Sequence, residues 1–231
     1  MSKTESLQSH PAETAAHGAG RGRTLARKGA SLMLLLGISL LWAVPHAAAQ
    51  IEGRYEAIRA LPAKNSLRVV QFDEYINFTC PHCNNFRKAA IPLKKKYGKR
   101  LRINYRPILF RNQADGPLRL FFIAQSLGRT EEVKDLIFDA AFGAGVNIYD
   151  PAVVSYLART AGLGEIFQRE ANAEWVTKLV RESHRLATAD GVQVTPTIVL
   201  QRALKLVPRT GMQAFVGNLD HLIEQLLVKT Y

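Results

Sequence analysis

Along this chain the spacing of hydrophobic and polar positions changes several times, and each change predicts an element. From Leu67 to Ile76, apolar residues fall on both faces of a β-rich run (Val69, Val70, Phe72, Tyr75, Ile76), as in a central strand covered on both sides. After Cys83 the period becomes helical, with Phe86, Ala89, Ala90 and Leu93 at i, i+3, i+4 and i+7. Pro92 should kink or shorten that helix, because it lacks the amide that would bond the Lys88 carbonyl, and Gly98 should close it. Leu101 to Tyr105 alternates and reads as the next strand.

From Pro117 to Asp190 the strand signals vanish. Thr130 is placed to cap a helix carrying Glu131 and Glu132 in its first turn. Val133, Leu136, Ile137, Ala140 and Ala141 form its face, and Gly143 ends it. Asp150-Pro151 reads as an N-cap followed by proline at the first helical position; Val154, Leu157, Ala158 and Ala161 form the face before Gly162. A longer helix is predicted around Trp175, Val176, Leu179, Val180, Ser183 and Ala187. Strand character returns over Val192 to Leu200 and over Ala203 to Val207, and Phe215, Leu219, Leu222, Ile223 and Leu226 predict a last helix. Tyr55 to Ser66 reads only as a polar approach. The fold class is therefore α/β, with residues 50–114 and 191–231 forming the sheet-containing part and residues 115–190 an inserted all-helical subdomain.

The first 49 residues stand apart. Arg21, Arg23, Arg27 and Lys28 precede an apolar run from Ala30 to Val44, and Ala47-Ala48-Ala49 follows as a small-residue cleavage site. The run is short of the about 20 residues a spanning helix needs, so residues 1–49 read as a signal peptide cleaved after Ala49. Retention as an anchor is the alternative, kept alive by the long polar lead before Arg21. In both cases the remainder lies outside the cytoplasm. About 180 residues remain, enough for one well-cored domain, and they keep about +9 of the formal net charge of +12. Part of that charge sits in Lys94-Lys95-Lys96-Tyr97-Gly98-Lys99-Arg100, which reads first as a helix C-terminus whose cations complement the dipole. No aromatic-interleaved basic motif supports nucleic-acid binding, whereas association with an acidic membrane surface stays open.

The only two cysteines, Cys80 and Cys83, form Cys-Pro-His-Cys between the first strand and its helix. Four readings compete. Structural zinc needs four ligands, and no second Cys or His pair stands at a fitting spacing, so no metal is expected. Covalent haem needs a histidine directly after the second cysteine, where Asn84 stands. A structural disulfide across so short a loop adds little constraint to the unfolded chain. The fourth reading is a redox dithiol whose thiolate is stabilised by the helix N-terminus, and the strand before and helix after favour it. Outside the cytoplasm such thiols can cycle without being held reduced by glutathione.

This order of elements, with Cys-x-x-Cys opening the first helix, resembles the thioredoxin superfamily. The helical insertion, the Cys80-Pro81-His82-Cys83 tetrad and the secretory signal together look like the DsbA family of periplasmic thiol oxidases. The resemblance implies a thioredoxin-like fold and a periplasmic location. By position, Cys80 resembles the exposed attacking cysteine and Cys83 the buried resolving one. His82, after Pro81, resembles the histidine that helps hold Cys80 as thiolate, since nearby positive charge or N–H lowers an acid's pKa. Val194-Thr195-Pro196-Thr197 resembles the cis-proline loop that faces the cysteines. A cis bond at Thr195–Pro196 would reconcile a proline with a strand-like run and expose the Thr195 backbone to a substrate peptide. Glu74 stands where family members often carry a buried acid that relays a proton for the resolving cysteine. Asp73 competes for that role, and a solvent-facing carboxylate is the plain alternative. Family members often place Asn-Gly after the cis-proline strand, whereas Gln201-Arg202-Ala203 offers no residue suited to positive φ, which puts the hairpin geometry in question.

Three functions compete on this reading. The resemblance implies first a monomeric dithiol oxidase without a cofactor, acting on reduced secreted proteins and reoxidised by a quinone-linked membrane partner resembling DsbB. The second is a reductase or isomerase of the same fold, which would need a reducing partner. The third is a binding or chaperone module whose cysteines form an inert disulfide.

Overall fold

The structure is a computed structural model that describes residues 51–61 and 67–227, so the predicted signal peptide lies outside the described residues. Five strands form one mixed sheet in the order β1-β5-β4-β2-β3. They are β1 Glu56–Ala57, β2 Val70–Ile76, β3 Leu101–Pro107, β4 Thr197–Leu200 and β5 Leu204–Leu206. β2 and β3 run parallel, with Val70 opposite Leu101 and Ile76 opposite Pro107, while β4 is antiparallel to β2, and β5 to β4. A parallel pair needs a crossover, supplied here by α1 (Pro81–Ala89), α2 (Ile91–Tyr97) and a 3-10 turn at Gly98–Arg100. The crossover helix parts at Ala90, just ahead of Pro92, where the missing proline N–H leaves Lys88 without its helical partner. Gly98 closes α2 at φ 50°, a conformation glycine takes without steric cost.

Between β3 and β4 lie α3 (Gly116–Ser126), α4 (Thr130–Phe142), α5 (Pro151–Thr160), α6 (Gly164–Glu170) and α7 (Glu174–Ala189); α8 (Met212–Leu227) ends the described chain. The sequence pattern does not single out α3. Leu118, Leu120, Phe121, Phe122, Ile123 and Ala124 are all buried, so the helix has no polar face to give it a period. At α4, Thr130 is the first helical residue and Arg129 occupies the cap, one place from the expectation. Asp150 caps α5 as predicted, its Oδ1 accepting from the Ala152 amide at 2.7 Å.

One core, built from Val70, Phe72, Phe86, Leu93, Phe215 and Leu219, joins one sheet face to α1, α2 and α8. On the other face Tyr75 and Val199 pack with Ala187 of α7, which is why β2 is apolar on both sides. A further core gathers Phe78, Cys83, Leu118, Phe121, Ile137 and Phe138, so the dithiol helix and the insertion share one hydrophobic centre. Phe78 sits edge-on to Phe138 with centroids 5.2 Å apart, pinning the segment before Cys80 into the insertion.

Three strand expectations are corrected. Val69 is 40% exposed and lies just outside β2. β4 begins only at Thr197, because Val192–Pro196 is a loop in which the Thr195–Pro196 bond is cis and proline has no N–H for a ladder. The hairpin does close: Gln201 and Arg202 take φ 52° and 59°, and the Ala203 amide donates to the Leu200 carbonyl at 3.0 Å. The Gln201 amide donates to Gln71 O at 2.9 Å, and Arg202 reaches the buried carboxylates of Asp73 and Asp190. These tertiary bonds offset the turn's unfavourable dihedrals. The polar approach also contributes β1, which pairs with β5.

Candidate active site

β2 delivers the chain through Asn77-Phe78-Thr79 to α1, where Cys80 is the N-cap and Pro81 the first helical residue. The Cys80 amide donates to Asn77 O at 3.0 Å, and the Asn84 amide donates to Cys80 O at 3.1 Å. No side chain caps this terminus, so its backbone amides are left to the Cys80 sulfur. The sulfur is partly buried, and the thiol donates to Thr195 O at 3.1 Å. Its pKa is lowered to about 5, chiefly because the Cys83 thiol hydrogen-bonds to the sulfur. Burial opposes this, while the Thr195 side chain and the Cys83 and His82 amides support it. Thr195 thus meets both forms, its carbonyl accepting from the thiol and its side chain favouring the thiolate.

Cys83, one turn into the helix, is fully buried. Burial pushes its thiol well above the ordinary value, and the neighbouring Cys80 adds to that. Both thiols are free in this structure. Pro81 and His82 are exposed, and His82 contributes to the sulfur through its backbone N–H.

Alternation along β2 separates the two acids. Asp73 faces the Arg202 side, bonding Arg106 at 3.1 Å, within a cluster where Tyr75 donates to Asp190 at 2.6 Å. Glu74 shares the face of Phe72, which packs against Phe86 of α1. It is buried, and burial raises its pKa to about 7; Lys134 and Lys94 pull it down, and Glu131 pushes it up. Tyr105 stands opposite Glu74 in register and donates to Glu131 Oε1 at 2.6 Å. Lys134, buried, lies 4.3 Å over the Tyr105 ring and 2.5 Å from Glu131 Oε2. Lys94, Glu131 and Lys134 line a cleft of about 290 Å³ beside α1 and α4.

Sequence reasoning missed the residues that hold Thr79. Its amide and hydroxyl donate to Asn77 Oδ1 at 3.1 and 2.9 Å, and Gln113 Nε2 donates to the hydroxyl at 3.2 Å. Asn77 Nδ2 donates to Gln113 Oε1 at 2.7 Å, and the Tyr149 hydroxyl lies 3.2 Å from Thr79 Oγ1. The Asn77-Phe78-Thr79 spacing could have signalled an Asx-turn. Nothing local signals Gln113 or Tyr149, which arrive from other loops.

The structure thus brings together an accessible sulfur of lowered pKa, a buried partner thiol at a helix N-terminus and a cis-proline loop. A family profile described as Thioredoxin matches residues 68–205, and the chain belongs to the thioredoxin family. Thiol:disulfide interchange protein DsbA of Burkholderia cepacia is 25% identical over 201 residues, covering 85% of this chain and 95% of that protein. Pseudomonas aeruginosa DsbA superposes with a TM-score of 0.62 at 20% identity, covering 75% of this chain and 92% of that one. For the Neisseria meningitidis oxidoreductase NmDsbA1 the TM-score is 0.60 at 16% identity, with 78% and 95% covered. Within its family the fold is DsbA-like, with a helical insertion between β3 and β4.

Proposed function

We propose that this chain is a periplasmic dithiol oxidase that transfers its Cys80–Cys83 disulfide to reduced secreted proteins. The observation that carries the reading is the asymmetry of the pair: one partly exposed thiol lowered to about 5, one buried thiol pushed up. A substrate thiolate attacks Cys80 Sγ, the S–S bond breaks, and Cys83 leaves with the electron pair. A buried thiolate of high proton affinity leaves well only if protonated, and Glu74, raised to about 7, is matched to supply that proton. A second substrate thiolate then attacks the substrate sulfur of the mixed disulfide and displaces Cys80, a good leaving group because its pKa is low. The substrate is oxidised by two electrons and the enzyme dithiol reduced. Reoxidation falls to a membrane quinone reductase of the DsbB kind. Thr195 and Pro196 form the edge along which the substrate backbone lies, beside the exposed side chain of Val194.

The test is to mix the oxidised protein with a reduced, unfolded protein that needs disulfides, with no other oxidant present. One substrate disulfide should form per enzyme disulfide consumed, within seconds. A protein that instead accelerates reduction of insulin by dithiothreitol and leaves the reduced substrate untouched is a reductase.

A further inference from the structure

The basic run after α1 is not one uniform charged face. Lys94 bonds Glu131 at 2.8 Å, and Lys96 bonds Asp220 and Glu224 at 2.8 and 2.7 Å. Lys95, Lys99 and Arg100 are exposed, and among the described residues no ion pair engages them. The same holds for Arg68, which leads into β2, and Arg102, the second residue of β3. Because β2 and β3 are parallel, both strands begin at the same end of the sheet. The C-terminus of α8 joins them there: the Leu67 amide donates to Leu226 O at 3.0 Å, and Arg100 Nη2 donates to Leu227 O at 3.3 Å. The start of the described chain is tied to the same place, Glu52 and Gln225 exchanging hydrogen bonds of 2.8 and 2.5 Å. The dithiol sits at the other end of β2, whose seven residues span about 20 Å.

We propose that this end of the sheet, carried by Arg68, Lys95, Lys99, Arg100 and Arg102, docks on an anionic lipid surface. The cations come from separate elements and converge on one end without sharing one partner geometry, which suits a field of headgroups better than a single protein epitope. Val69, 40% exposed beside Arg68, is an apolar side chain placed to enter the interfacial layer. On the anchor alternative, the apolar run ending at Val44 would stand seven residues before Ile51, a reach of at most about 25 Å, and the chain enters the fold at this basic end. Docked in this way, the domain keeps Cys80 turned away from the lipid and open to exported chains.

The chain from Gln50 onward contains every residue of the core clusters, so it is a fair subject for the test. It is sedimented with phosphatidylcholine vesicles, with and without phosphatidylglycerol, at low and high salt. Binding is expected only to the anionic vesicles and should fall with salt. Each cation contributes about fivefold in partitioning, so Arg68→Gln/Lys95→Gln/Lys99→Gln should weaken binding by about a hundredfold. Thiol–disulfide exchange should be unchanged in that variant, since none of the three approaches the dithiol. Arg159→Gln/Lys178→Gln/Arg209→Gln removes the same charge elsewhere and should cost a few-fold at most. Equal loss in both variants would reduce the surface to net charge alone and overturn the proposal. So would equal binding to neutral vesicles, or retention on immobilised polyglutamate with no vesicle binding, which would reassign the surface to an acidic protein.

Discussion

Cys80 and Cys83 have the same chemistry and opposite environments, one at the accessible cap of α1 and one with no exposed surface. In Cys83→Ser the Cys80 thiolate can still attack a substrate disulfide, expelling one substrate thiolate, and the mixed disulfide should accumulate because the Cys83 thiol that would attack the Cys80 sulfur and free the substrate is gone. Cys80→Ser should trap little, which non-reducing gels of cells making either variant would check. Glu74 sets a second expectation. The groups around it are Lys134, Lys94, Glu131 and Tyr105, and Lys134 is the strongest of the pulls that lower its pKa. Lys134→Met removes that pull, so Glu74 should titrate above its present value of about 7. The pH at which enzyme reduction by glutathione changes slope should move upward with it, and Glu74→Gln should erase that inflection. An unmoved inflection in both variants would take Glu74 out of the proton path. The cysteine pair was legible in its own spacing, whereas the Thr195-Pro196 loop and Glu74 came from the resemblance, and the structure makes the first bond cis and buries the second. Lys134 and Tyr105 were not legible, because α4 and β3 bring them to Glu74 only in the folded chain.

At the scale of elements, the β4–β5 turn is the clearest case of tertiary structure overriding local preference. Gln201 and Arg202 both hold positive φ, a conformation neither side chain favours. The compensation comes from far along the chain, Arg202 lying between Asp73 of β2 and Asp190 after α7. A turn residue improved in isolation should then fail. Arg202→Gly suits the dihedrals, yet it strips a cation from two carboxylates whose side chains have no exposed surface. Breaking such a buried pair costs about 3–5 kcal/mol, and this loss should fall near the lower figure because Arg106 and Arg59 still reach Asp73 and Asp190. Gln201→Asn, which keeps Arg202, should be neutral or slightly stabilising. Urea melts of the two variants would separate these outcomes; equal stability would mean that the ion cluster does not hold the turn. The same override explains α3, whose apolar residues are buried all round and carry no period, and β1, which pairs only with β5.

For the whole molecule, oxidation state and stability are linked through Cys80. Its pKa is depressed from 9.0 to about 5, so its contribution to the reduced fold is complete above the unfolded pKa and disappears as pH falls through about 5. At pH 7 the unfolded thiol is still protonated, and only the gap between 7 and about 5 counts, worth about 2.7 kcal/mol at full strength. The sulfur is partly exposed, so solvent screening reduces this to as little as about 1.4 kcal/mol. Against it, the disulfide closes a loop of about four residues and stabilises the oxidised form by about 2 kcal/mol. The two forms should therefore be within about 1 kcal/mol of each other at pH 7. At pH 5 the thiolate contribution is almost gone, and the oxidised form should lead by nearly the whole disulfide contribution. Near pH 9 the reduced form should lead. Glu74 also titrates in this range, so the same comparison in Glu74→Gln isolates the thiol. A reductase-like thiol titrating near 7 would leave that difference flat from pH 5 to 7 and move it only above. Denaturant melts of both forms at pH 5, 7 and 9 measure this directly. A difference that does not move between pH 5 and 7 would end the oxidase reading.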